Sequence, residues 1–177
     1  MMGDRTGEAT LLAKFESVSW DKGWNFRGMS QFMRSVSWTD SYAIALGRSR
    51  SLAARPALDA KAAALMADMD YSHFRALALA YEGLGDPAGV QPLARLLRLP
   101  GVGGHALRAD DQVPPIRNYS NREGDRERTR VLKELCLARA IFNLGDTADG
   151  LGRRTLEAYA ADPRRAYAEH ARLVLAK

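Results

Sequence analysis

From residue 39 onward, apolar residues recur every three or four positions, the spacing that turns one face of an α-helix toward a core. Phe74, Leu77, Ala78, Tyr81 and Leu84 share one such face, and Val90, Leu93, Ala94 and Leu97 share the next. Val131, Leu135, Ala138, Ile141 and Phe142 form a third, and Tyr167, Ala171 and Val174 a fourth. Start and stop signals punctuate the pattern. Thr39 or Asp40 suits the N-cap of a helix ending at Gly47, because a short side-chain oxygen accepts from the exposed N–H groups there. Pro56 opens a second helix, expected to run through Leu65 to about Met69. Ser72 suits the cap of a third, which Gly85 stops through its tolerance of the left-handed turn. Asp86-Pro87 and Asp162-Pro163 are restarts, with proline where no N–H is needed. The pattern predicts an all-α fold.

Three apolar segments run into a Leu-Gly pair: Ala45-Leu46-Gly47-Arg48, Gly83-Leu84-Gly85-Asp86-Pro87 and Asn143-Leu144-Gly145-Asp146-Thr147. The first two pairs are 38 residues apart, close to the period of about 40 of HEAT-type helical hairpins. The next interval is 60 residues, and an insertion over 99–127, rich in Gly, Pro and charge, accounts for the excess. Ala78 and Ala80 then align with Ala138 and Ala140. The expectation is a HEAT-like α-solenoid of about three hairpins, each covering an apolar face of its neighbour. It occupies 39–177, behind a polar lead at 1–14 with one weak helix. Between them, 15–38 is an aromatic-rich cap that holds Trp20, Trp24 and Trp38.

At 177 residues and 46% hydrophobic, the chain is long enough for one domain with a real core. No apolar run approaches the roughly 20 residues of a membrane helix. The start of the chain lacks an apolar signal-peptide core, which points to the cytoplasm if the chain is full-length. The net charge of +5 is mild, and acids interleave with the densest basic stretch, Arg117 to Lys133. Mixed signs read as a solvated face rather than a nucleic-acid track. A nucleic-acid-binding solenoid would need an arginine-lined concave surface, with Arg153, Arg154, Arg164 and Arg165 as its candidates.

Candidate chemistry is sparse. Cys136 sits between leucines on a helix predicted to be buried, where a thiol behaves as a small hydrophobe. His73, His105 and His170 have no metal-site spacing, and His73 and His170 are expected to pack or hydrogen-bond. Asp110, Asp111, Glu123, Asp125 and Glu127 can pair as a carboxylate site, but surface ion pairs fit their arginine neighbours better. Gly101, Gly103 and Gly104 before His105 can bring backbone N–H groups to a phosphate, but no strand or Gly-x-Gly-x-x-Gly supports a dinucleotide fold, so a flexible loop is expected, with 100–127 the most mobile internal segment. The candidate contact surface is Trp20, Trp24 and Arg27 with Gly103, Gly104, His105, Arg117, Asn118, Tyr119 and Arg122. Trp20 and Trp24 form either a stacking platform or apolar surface buried against the first hairpin.

Several stretches in order carry a resemblance: Gly23-Trp24-Asn25-Phe26-Arg27-Gly28-Met29, Asp40 through Arg48, His73-Phe74-Arg75-Ala76 and Pro100 through Ala106. Lys133 through Ala140 with Gly145-Asp146, and Tyr159-Ala160 onward to His170-Ala171, complete it. From about Phe15 to its end, the chain resembles the C-terminal helical region of bacterial FAD-dependent oxidoreductases, in which a HEAT-like tail follows a Rossmann-type flavin domain. The resemblance implies an accessory or interaction module whose partner is a protein or a flavin-binding domain. It implies FAD on that domain, and the absent phosphate-binding fingerprint leaves no cofactor or catalytic residue expected here. An alternative is that the chain completes a flavin active site supplied by another domain, with the aromatic segment and the insertion facing it.

Overall fold

The structure, a computed structural model, describes residues 7–25, 37–113 and 122–177, the side chains of 122–124 excepted. The described residues form eight α-helices and no strand, as the apolar spacing predicts. They are α1 (Glu8–Ser17), α2 (Trp38–Ser49), α3 (Arg55–Ala63) and α4 (Tyr71–Leu84), then α5 (Val90–Leu97), α6 (Arg122–Asn143), α7 (Leu151–Ala160) and α8 (Arg165–Leu175).

Local chemistry sets most of the boundaries, with some differences from expectation. The cap of α2 is Ser37, whose hydroxyl accepts the Asp40 N–H, rather than Thr39 or Asp40. Gly47 does not end this helix. It lies inside α2, which stops at Arg50 in a left-handed turn with φ 56°. Helix α3 has Pro56 in its first turn and ends at Ala63, short of Met69. Beyond this early stop the Lys133 ammonium of α6 bonds the carbonyls of Ala67 and Met69 at 2.8 and 2.5 Å. Asp70, not Ser72, precedes the first residue of α4. Gly85 ends α4 with φ 68°, and Asp86 caps a short 3-10 turn that leads into α5. Helix α6 begins at Arg122, inside the span assigned to the insertion.

The helices have a consistent sense. Asp40 meets His73 near the starts of α2 and α4, and Gly47 meets Ala80 near their ends, so the two run parallel. Lys133 lies over the Phe74 ring and Arg139 pairs with Glu82, so α6 runs parallel to α4. Helix α3 follows α5 in the same way: Arg55 bonds the Ala88 carbonyl and Arg95 bonds that of Ala62. Helix α7 turns back on α6, pairing Tyr159 with Glu134 and setting Gly152 against Phe142.

The core lies between these elements. Phe74, Leu77 and Tyr81 of α4, Leu93 of α5, Ile141 of α6 and Leu156 of α7 are fully buried. Burying each such side chain contributes roughly 1.5–3 kcal/mol. Among the described residues no helix is long and apolar enough to cross a membrane.

Candidate functional site

The parallel sense of α2 and α4 puts their N-termini at one end of the layer, and residues 18–25 cross that end. The extended segment is tied down at every step. Trp20 donates its indole N–H to the Lys61 carbonyl, and the Lys61 ammonium bonds the Val18 carbonyl. Asp21 accepts from the Ser37 hydroxyl and the Trp38 N–H at 2.5 and 2.8 Å. Trp24 and Ser72 bond reciprocally, the Trp24 N–H to Ser72 Oγ and the Ser72 N–H to the Trp24 carbonyl. Asn25 bridges the Asp70 carboxylate and the Tyr71 N–H. Burial comes first in holding Asp21, and it raises the carboxyl, but hydrogen bonds from Ser37, Trp38 and Thr39 outweigh it and lower the pKa.

Beneath this strap lies His73, 2% exposed, with Nδ1 2.7 Å from Asp40 Oδ1. Trp20 stacks on the imidazole with ring centroids 4.6 Å apart. Gly23 permits the close approach, since a β-carbon there would lie 2.7 Å from the His73 ring. Asp40 Oδ2 is buried without a hydrogen-bond partner. Trp20 and Trp24 are thus partly buried surfaces packed on α4, the second of the two readings of these residues. Arg27 lies outside the described residues. Trp38, which no site expectation included, is 67% exposed.

The glycine loop is not the flexible loop expected of it: its amides form a cradle, and the occupant is internal. The N–H groups of Gly104 and His105 both point at one carboxylate, that of Glu134, at 2.8 Å each. Tyr159 donates its hydroxyl to the same group at 2.7 Å. Glu134 is 4% exposed, so three donors compensate a charge withdrawn from water. Burial, then the charge and hydrogen bond of Glu134, push the Tyr159 phenol up. Gly104 adopts φ 86°, which aims successive amides the same way. A second knot sits beside it. Asp162 accepts from the Leu107 N–H and the Arg164 guanidinium, and Arg164 also bonds Glu127 and the His105 carbonyl. His105 Nε2 bonds the Gly101 carbonyl at 3.1 Å. Residues 101–107 are therefore built into the fold at α6, α7 and the start of α8. Arg122 opens α6, while Arg117, Asn118 and Tyr119 lie outside the described residues.

Several other candidates are likewise engaged. Cys136 is buried, bonds the Lys133 carbonyl and has its thiol pushed up to about 12 by that burial. Lys133, 5% exposed, is held below the usual lysine range by burial. Arg153 pairs with Glu157 and Arg165 with Glu169, and Arg154 bonds the Asp149 carbonyl. Asp111 accepts from the Arg108 N–H within its own turn. Among the described residues no three His, Cys, Asp or Glu side chains converge on a metal-sized site. Sequence reasoning missed Glu134 and Lys133. The available signal was two adjacent charges, Lys133 and Glu134, between the core positions Val131 and Leu135. No family model matches the chain, and no curated protein or solved structure matches it.

Proposed function

We propose that this chain is a helical-repeat accessory module, a HEAT-like α-solenoid whose role is to dock a protein or a flavin-binding domain rather than to catalyse. The parallel run of α2, α4 and α6, with α3 and α5 parallel to one another, supports the repeat reading. Successive hairpins of a solenoid repeat one another by a small rotation, which makes equivalent helices parallel. The observation that carries the non-catalytic reading is Glu134. The backbone amides best placed for a phosphate already hold this carboxylate, and a buried ion with three donors is costly to displace. FAD then belongs to the partner, as the resemblance implies.

A second reading, that the module completes a flavin site, is favoured by one observation. The strap and the glycine loop lie at the same level of the helical layer, beside Phe74 on α4 and beside the adjoining Lys133 and Glu134 on α6.

The test is to purify the chain, add FAD, gel-filter it and read the flavin absorbance, then co-elute it with a Rossmann-type flavin domain of the resembled family. The expected outcome is colourless protein alone and a complex with the flavin domain. Stoichiometric flavin on the isolated chain would overturn the proposal.

A further inference from the structure

Helix α4 is buried almost all round, and its open stripe is Arg75, Leu79 and Glu82, spaced by four and three residues. Neighbouring helices repeat the composition. On α2, Ile44 and Arg48 lie one turn apart, and Arg48 starts where Gly83 of α4 touches the α2 backbone. On α6, Leu132 and Arg139 lie two turns apart and are partly exposed. Each helix thus offers one half-buried aliphatic side chain and one arginine. Glu82 is the acid between them, and it is already spent. Arg139 binds it through Nε and Nη2 at 3.0 and 2.8 Å, and Asn143 adds a third bond. Neither Arg48 nor Arg75 has an ion-pair partner among the described residues. His170 of α8 faces this side without adding charge: partial burial first, then Arg139 and Lys177, hold it below the usual histidine range and so neutral.

We propose that this open face, Arg48, Arg75 and Arg139 with Ile44, Leu79 and Leu132 among them, docks an acidic, leucine-bearing segment of a protein partner. The inference rests on the module reading and adds the chemistry of the partner. Two arginines, Arg48 and Arg75, without ion-pair partners among the described residues, on a face where Arg139 already neutralises Glu82, call for an anionic occupant. The aliphatic side chains between them, and Glu82 in their midst, favour carboxylates carried on an apolar-striped peptide over a continuous phosphate backbone, which carries one charge per residue and no apolar face.

The experiment is fluorescence anisotropy at low salt with two labelled probes, a peptide of alternating Glu-Glu and Leu-Leu pairs and a single-stranded oligothymidylate. Four proteins are compared: wild type, R48E/R75E, the milder R48A/R75A, and R98E/R108E. The last makes the same charge change at exposed sites off the face, and circular dichroism checks that each is folded. The expected result is peptide binding by wild type and R98E/R108E. R48E/R75E should bind about tenfold more weakly, as two reversed contacts of about 0.7 kcal/mol each would give, with R48A/R75A in between. Absent peptide binding, equal loss in R98E/R108E, or tighter binding of the oligonucleotide than of the peptide would overturn the proposal. If R48E/R75E still co-elutes with the flavin domain, the module reading stands and this face alone is refuted.

Discussion

Gly47 of α2 and Ala80 of α4 touch backbone to backbone, leaving no room for a β-carbon at position 47, where it would overlap the Ala80 main chain. Gly83 closes the same crossing from the other side, its missing β-carbon 2.8 Å from the Gly47 carbonyl carbon. Two glycines therefore set how closely the first two parallel helices approach.

Substituting Gly47→Ala should destabilise the chain by about 1–3 kcal/mol, because the added methyl meets rigid main chain rather than a side chain that can move. Gly85→Ala should cost less, since nothing lies within 4 Å of that site and only its left-handed backbone is strained. Urea unfolding midpoints for the two variants give the comparison. Equal losses would mean that the α2–α4 crossing gives way to accommodate the methyl.

Glu134→Ala should cost about 1–3 kcal/mol, since it strands the buried Tyr159 hydroxyl and leaves the more exposed Gly104 and His105 amides to water. Glu134→Gln keeps the shape and one acceptor oxygen, and should fall between. Hydrogen exchange reads the effect locally: the amides of 104 and 105 should be protected in the native chain and exchange fast in Glu134→Ala.

Acid should loosen the knot around Asp162. Burial raises this carboxyl, but bonds from Arg164 and from the Leu107 and Arg164 N–H groups outweigh it and hold the pKa below the usual 3.8. A carboxyl lowered on folding stabilises the fold above its unfolded value, and that contribution is lost as the pH falls through the folded value. Wild type should therefore lose stability below about pH 4, and Asp162→Asn should start less stable at neutral pH and decline less. Thermal melts from pH 3 to 7 would show parallel curves if Asp162 contributed nothing.

Cys136 should resist thiol reagents in the native chain. With the thiol pushed up to about 12 by burial, almost no thiolate exists at pH 8, and the sulfur is 6% exposed at the residue level. Ellman's reagent should react only after denaturant is added. Rapid labelling of native protein would show that α6 opens locally.

The regular part of the fold was legible because its information is local. The apolar faces of α4 and α5 follow from spacing alone, and every apolar position named for them is buried. The misread signals were those with two physical meanings. Gly47 and Gly85 look alike in sequence, yet one is there for its size and the other for its positive φ. Ser72 has the chemistry of a cap, but its hydroxyl accepts from Trp24, 48 residues earlier. The glycine loop reads as flexible in sequence, and its fixed place was not legible, because the Glu134 that holds it lies 30 residues on inside a helix. Of the expected contact residues, the strap hides much of Trp20 and Trp24, and the open arginine stripe carries no motif.

The way Glu134 holds residues 104 and 105 has a consequence for how this chain tolerates change. The carboxylate reads main-chain amides, which every amino acid but proline supplies, so the hold is blind to the side chain at position 105. What it measures is chain length and the left-handed turn at 104, features altered by insertion, deletion or loss of the glycine. Mutational drift at 105 is therefore cheap and a one-residue change in loop length is dear, leaving position 105 free to be retuned while its frame stays fixed.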